Sequence, residues 1–462
     1  MVYDYGLFAF DSKEEMLEKS ERYWNPGKTR FWADAGVPLV IDRREEYFLY
    51  DLSGARLIDV HLNGGTYNLG HRNPEVAAAV IDAMGHFDIG NHHFPALART
   101  ALAEALVRSA PANLTKVIYG SGGGEAIDIA LKTARHTTQR RKIVSIVKAY
   151  HGHTGLAVGT GDDRFSRLFL SDQPADFPHV PFNNLDAMEA ALRPGDVAAV
   201  ILETIPATYG FPLPAPGYLE AVARLCERYG TLYIADEVQT GLMRTGEMWG
   251  ITKHGIEPDI LVTGKGISGG MYPISAVLVS ERAAGWLSED GFGHISSFGG
   301  AELGCIAALK TLEICGRPET RSMVHYIAAA VGAGLREIRE RYPDWLVGIR
   351  QNGVVIGLEF AHPEGAKLVM KHLYQNGVWA IFSTLDPSVL QYKPGILLRP
   401  ELCDELLDRT ETAIGRAWRE VGQSQRGAAF VPPHRPSPPS TDVAWPVLGV
   451  HGLCGGSGGG AA

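Results

Sequence analysis

The chain has 462 residues, 45% hydrophobic and 21% charged, a balance that supports a packed core and excludes a collagen, a coiled coil or a mainly disordered chain. Its 43 basic and 52 acidic residues leave a formal net charge of −9, which argues against non-specific nucleic-acid binding and would suit a cationic ligand. The five cysteines (Cys226, Cys305, Cys315, Cys403, Cys454) are scattered and form no CxxC pair. Neither a disulfide framework nor a zinc site is expected, and a reducing cytoplasm is the expected location. No basic stretch followed by an apolar one opens the sequence, and no apolar run approaches the roughly 18 residues of a membrane helix.

A polar helical start leads into two short alternating stretches, Pro38–Asp42 and Tyr47–Leu52, with a turn at Asp51-Leu52-Ser53-Gly54. From about residue 75 to 310 short apolar runs recur: Lys116–Tyr119, Ile143–Val147, Ala198–Leu202, Leu232–Ile234, Ile260–Val262 and Ala276–Val279. Helical periods lie between several of them. Ile127, Ala130, Leu131 and Ala134 share one face, as do Tyr218, Val222, Leu225, Cys226 and Tyr229. Short runs buried on both sides, alternating with helices, predict an α/β fold with a mainly parallel sheet. Beyond about residue 310 a smaller α+β unit is expected, with a long helix around Met323–Tyr342 and a strand at Val354–Phe360. The expected organisation is an N-terminal segment (1–65) and a C-terminal segment (311–422) forming a small domain, a large domain (66–310), and a tail (423–462). That tail, rich in Pro, Ser and Gly, is expected to have no packed core.

Three features in the large domain point to chemistry. Gly120-Ser121-Gly122-Gly123-Gly124-Glu125 follows a strand and opens a helix, so backbone N–H groups and the helix dipole could hold an anion. Asp236, in Asp236-Glu237-Val238-Gln239, ends a strand, where a carboxylate needs a partner such as a protonated ring nitrogen. Lys265 follows another strand between two glycines, and a lysine with a lowered pKa is a carbonyl nucleophile. Each has a plainer explanation alone: a flexible turn, a helix-capping Asp, a solvated Lys. Together they are what pyridoxal 5′-phosphate requires. Ala149-Tyr150-His151-Gly152-His153-Thr154, after the strand at Ile143–Val147, could supply an aromatic face for the ring.

Six segments then fall in one order: GHRNP (Gly70–Pro74), GGEAIDIALKTAR (Gly123–Arg135), YHGHT (Tyr150–Thr154), DEVQTGLMRTG (Asp236–Gly246), GKGISGGMYPISA (Gly264–Ala276) and SSFGGAELGC (Ser296–Cys305). In these the chain resembles the class III pyridoxal-phosphate aminotransferases of fold type I, over roughly residues 30 to 420. The resemblance implies that Lys265 holds the cofactor covalently and shuttles the reacting proton, and that Asp236 keeps the ring nitrogen protonated. It implies Tyr150 on one ring face with His151 in the same motif, Val238 on the other face, and Gln239 at the phenolic oxygen. It implies a phosphate site at Ser121, Gly122, Gly123 and Gly124, a Glu203 near the cofactor, and Ser297 reaching the phosphate of a partner subunit in a homodimer. Arg399 would match the Arg that grips the α-carboxylate of a glutamate-like donor, as a guanidinium fork suits a carboxylate.

The chain also departs from that family. Gly122-Gly123-Gly124 stands where that family often reads Ser-Gly-Ala/Thr in the phosphate loop, Thr208 stands where some relatives carry an acid, and Ala301-Glu302 replaces Asn-Pro. His92, His93, Phe94, Tyr209 and Glu302 are pocket candidates by position only. Trp24–Gly54 and the SSFGGAELGC segment resemble a branch associated with aminosugar and aminoglycoside biosynthesis, acting at a 6′ carbon. The leading expectation is amino transfer between an amino acid and a sugar aldehyde or ketone. Epimerisation, racemisation or another proton shift on the same cofactor is the alternative. A binding protein on the same scaffold is disfavoured by the presence of both Lys265 and Asp236. Small-molecule substrates are expected, with no nucleic acid and no membrane.

Overall fold

A computed structural model describes Tyr3–Asp4 and residues 6–426; the expected Pro- and Gly-rich tail lies outside the described residues beyond 426. The described residues up to Trp418 form one compact unit, and Arg419–Arg426, the end of the helix Pro400–Arg426, are grouped apart from it.

Strands β1 (Tyr3–Asp4) and β2 (Ala9–Phe10) form a short hairpin. A meander follows, β3 (Ile41–Glu45), β4 (Phe48–Asp51) and β5 (Arg56–Asp59). The large sheet is made of β6 (Leu114–Gly120), β7 (Lys142–Ile146), β8 (His179–Val180), β9 (Val197–Glu203), β10 (Leu232–Asp236), β11 (Ile260–Thr263) and β12 (Ser275–Ser280). C-terminal strands are β13 (Leu346–Asn352), β14 (Val355–Phe360), β15 (Val378–Trp379), β16 (Ile381–Ser383) and β17 (Asp386–Tyr392).

The large sheet has the order β6-β12-β11-β10-β9-β7-β8. Only β12 runs against its neighbours. Every residue of β9 is buried, the pattern of a parallel strand covered on both faces. One cover is the helix Gly123–Thr138, whose Ile127, Ala130, Leu131 and Ala134 join a core cluster with Ile201, Ile234 and Val262 of three adjacent strands. Each buried Ile, Leu or Val side chain of this cluster contributes about 1.5–3 kcal/mol. All six apolar runs predicted as strands lie in this sheet. The first alternating stretch is shifted: the strand begins at Ile41, not Pro38, since Pro38 has no N–H to give a ladder.

Register sets the geometry of the strand ends. Asp236 stands beside Glu203 on β9 and Val262 on β11, so Glu203, Asp236 and, three residues past Val262, Lys265 emerge at one edge. A smaller sheet, β15-β5-β4-β3, joins the N-terminal meander to the C-terminal part: Val378 pairs with Ile58 and Trp379 with Asp59.

Candidate active site

Outside the carboxyl ends of β9, β10 and β11 lies a cavity of about 290 Å³ lined by Gly123, Gly124, Tyr150, His151, Glu203, Asp236, Val238, Gln239 and Lys265, with Asn63, Thr66 and Gly152. Ligands of open α/β sheets bind at this edge. Gly123 and Gly124 start the helix Gly123–Thr138, and its cap residue Gly122 makes no side-chain hydrogen bond. The first N–H groups of a helix have no intrahelical partner and attract an anion. The YHGHT loop closes down on this helix end. Asp128 on the helix accepts from Thr154 Oγ1 at 2.8 Å and from Ala157 N at 2.7 Å. The approach is so close that a Cβ on Gly152, at φ +119°, would fall 2.9 Å from the Cα of Gly124.

At the other end, Asp236 is 5% exposed. Its Oδ2 is 2.7 Å from His151 Nδ1, and its Oδ1 accepts from Val238 N at 3.0 Å. His151 is buried, and its Nε2 has no partner. Glu203 accepts from Ala207 N at 3.0 Å and from Tyr150 N at 3.3 Å, so it ties the YHGHT loop to β9. Burial pushes Glu203 up to about 7; the Asp236 charge adds to this and His151 opposes it. Burial also lowers the Lys265 amine below its ordinary value, against the pull of Asp236 and Glu203. Lys265 has φ +43°, a region sparsely populated by residues other than Gly. Ser268 Oγ, donating to Lys265 O at 2.7 Å, closes this turn. Gln239 Oε1 is buried without a partner.

The family model described as Aminotransferase class-III matches residues 32–414. The chain belongs to the class III aminotransferases. An uncharacterized aminotransferase of Archaeoglobus fulgidus is 40% identical over 409 residues, 88% of this chain and 96% of that protein. Among solved structures, the ornithine aminotransferase of Toxoplasma gondii superposes with a TM-score of 0.81 at 24% identity, covering 90% of this chain and 97% of that one. A transaminase from the marine bacterium Virgibacillus gives 0.82 at 24% identity, covering 88% and 100%. N-acetylornithine aminotransferase from Stenotrophomonas maltophilia gives 0.72 at 24%, covering 85% and 99%. These structures share the fold-type-I architecture. Class III aminotransferases use pyridoxal 5′-phosphate, and a structure of the Toxoplasma enzyme has it at the active site. In this class III aminotransferase the cavity suits that group: a glycine-lined helix start, a carboxylate, an amine of lowered basicity and an unpaired buried amide oxygen.

Nine of the thirteen site residues read from the sequence of this aminotransferase line that cavity. Four do not. Gly122 caps the helix just outside it, its carbonyl accepting from Ser275 Oγ at 2.9 Å. Ser121 is turned onto Glu125, donating through N at 2.7 Å and Oγ at 2.6 Å. Ser297 is exposed. Arg399 lies outside this lining. It directly precedes the helix Pro400–Arg426, and its exposed guanidinium faces Glu46 at 3.0 Å, lining a separate cleft of about 500 Å³. That cleft shares Arg44 and His71 with a further cavity of about 410 Å³. His92, His93, Phe94, Tyr209 and Glu302 also stay out of the cavity lining.

Sequence reasoning missed Asn63 and Thr66. Their loop carries positive φ at Leu62, Asn63, Gly64 and Gly65, and the Asn-Gly-Gly run was the available turn signal. Glu237 was also passed over. Buried, it accepts from Thr204, Thr240 (3.0 Å), Gly250 N (2.7 Å) and Ile251 N (2.8 Å), fastening the end of β10 to its neighbours.

Proposed function

We propose that this aminotransferase exchanges an amino group between an amino acid and the aldehyde or ketone carbon of an aminosugar, a 6′ carbon being the expected position. One observation carries the substrate reading: the cavity beside Lys265 has no arginine in its wall, and the polar side chains there that the cofactor would not use, Asn63 and Thr66, are uncharged. Uncharged hydrogen-bonding groups suit a hydroxylated sugar, and the net charge of −9 favours the approach of a cationic one. The resemblance of Trp24–Gly54 to the aminosugar branch points the same way.

The residues divide the work. Helix-start N–H groups at Gly123 and Gly124 would hold the phosphate. Tyr150 and Val238 would flank the ring and Gln239 would reach its phenolic oxygen. Asp236, positioned by His151, would keep a proton on the ring nitrogen. When bound, pyridoxal phosphate supplies an electron sink conjugated to the reacting carbon. Lys265, its amine made less basic by burial, would attach the cofactor and move the proton at the reacting carbon. Glu203 would keep the Tyr150 loop in place.

We further read the chain as a cytoplasmic homodimer, with a small domain built from its N- and C-terminal segments. The shared β15–β5 pairing supports that domain. Exposed Phe292, Ile295 and Phe298 surround Ser297 in sequence, and His93, next to exposed Phe94, touches Phe292 with ring centres 5.9 Å apart. An exposed apolar patch of this kind suits a subunit interface that would carry Ser297 to a partner. The test is conversion of the bound cofactor to its pyridoxamine form by amino donors and aminosugars, each supplied alone. Conversion by a 6-amino sugar is expected. Conversion by ornithine-type diamines and no sugar would overturn the substrate reading.

A further inference from the structure

A second cavity of about 410 Å³ adjoins the first, and Asn63 lines both. Trp32 from the helix Pro26–Asp34, Trp379 from β15, Asp59 at the end of β5, and His61 and Tyr67 beside Asn63 form much of its wall. Parallel pairing of β15 with β5 places Trp379 opposite Asp59, and Trp32 meets it from the other end of the chain. The Trp32 and Trp379 rings meet edge to face, with centres 5.4 Å apart at 77°. His61 meets Trp379 at 6.3 Å and 88°. Beside Asn63 the backbone runs close against Lys265. A Cβ on Gly64, at φ +73°, would stand 2.9 Å from Lys265 Cε. His61 Nδ1 is buried without a partner. Burial first, then the Lys393 and Lys265 charges, hold its basicity well below the ordinary value, so it faces the cavity side as a neutral imidazole.

We propose that this cavity seats the second ring of a two-ring aminosugar whose reacting carbon lies at Lys265, with Trp32 and Trp379 as specificity-determining side chains. The inference rests on the aminosugar reading above. Indole faces cover the apolar C–H face of a saturated ring and attract ammonium groups. Asn63, His61 and Tyr67 offer directional hydrogen bonds at the ring edge. The volume is that of a ligand site in its own right, which runs to roughly 300–1,000 Å³, and a small amino acid at Lys265 would leave it empty. Arg44, also in the wall, offers the competing occupant, a donor side-chain carboxylate.

The experiment compares holoenzyme, Trp32→Ala, Trp379→Ala, Trp379→Phe and Arg44→Ala against three probes: neamine (two rings), 6-amino-6-deoxyglucose (one ring) and glutamate. Single-turnover conversion of the cofactor gives the maximal rate and the half-saturating concentration for each. Calorimetry of neamine on the pyridoxamine-loaded enzyme, where an amine cannot react, gives binding without turnover. The alanine variants should raise the neamine half-saturating concentration and Kd by about 10- to 100-fold, with the maximal rate nearly unchanged. The one-ring sugar and glutamate should move less than about threefold, and Trp379→Phe should recover much of the neamine affinity. Three results overturn the proposal. In one, neamine binding is unchanged in both alanine variants although wild type converts it. In another, all three probes lose equally, which marks a structural role. In the third, glutamate alone is weakened, by Arg44→Ala as well, which gives the cavity to the donor. If wild type converts neither sugar, the aminosugar reading itself fails and the seat falls with it.

Discussion

The strand-end edge of the large sheet and the aromatic cavity beside it are built in opposite ways. At the edge, each group sits on or next to a strand whose register is fixed by buried neighbours: Glu203 beside Asp236, Val262 beside Asp236, Lys265 three residues on. The cavity takes Trp32, Asn63 and Trp379 from segments far apart in the chain, with Trp379 held by the β15–β5 pairing and Trp32 by ring contact with it. Chemistry is thus carried by short local signals on rigid strands, whereas selectivity is carried by a long-range assembly. Substitutions should separate the two: edge changes should lower rate for every substrate, and cavity changes should alter preference.

The sharpest break is Lys265→Ala. Turnover should fall by about 10⁴-fold or more, the loss expected when a nucleophile and proton carrier vanish together. Borohydride should no longer fix the cofactor to the chain, as read by mass spectrometry. Cofactor fixed as in wild type would remove Lys265 from its role.

Asp236→Ala comes next. It deletes the carboxylate that His151 positions, and kcat should drop by about 10²–10³-fold with every substrate. The urea midpoint should shift far less in proportion. A loss confined to one substrate would move Asp236 from the reacting edge to the selective side of the comparison.

Glu203 predicts a pH effect. Its folded value of about 7 lies above the ordinary 4.5, chiefly through burial. The folded protein therefore keeps a proton that the unfolded chain releases between those values. That stability is present below 4.5 and is lost as pH rises through about 7. In the cofactor-free protein, Glu203→Gln should gain on wild type across this window, by on the order of 3 kcal/mol. A difference in urea stability that stays flat from pH 4.5 to 8 would contradict it.

Arg399→Ala should do least. The Arg399–Glu46 pair is exposed on both sides, and such pairs contribute about 0–1 kcal/mol. Half-reactions with glutamate and with an aminosugar should stay within about twofold of wild type. A selective collapse with glutamate would return Arg399 to the substrate site.

The same contrast explains what the sequence could reveal. The strand runs, the glycine-rich helix start, Asp236 and Lys265 were legible because each is a local pattern at the end of a buried strand. Asn63 and Thr66 were not singled out, since a loop of left-handed residues bears no periodicity. The pairing of Trp32 with Trp379 depends on contact between residues far apart in the chain, which no spacing encodes. Arg399 rested on the family resemblance alone; it directly precedes the helix Pro400–Arg426, and its guanidinium donates to Glu46.

The most direct measurement of the central claim follows nitrogen. Holoenzyme is given an aminosugar labelled with ¹⁵N at its 6′ amine, then 2-oxoglutarate, in deuterated water. Transfer predicts ¹⁵N in the glutamate formed and a sugar carbonyl in matching amount. Deuterium washed into the sugar carbon, with no ¹⁵N leaving it, would contradict transfer and assign this cofactor site to epimerisation.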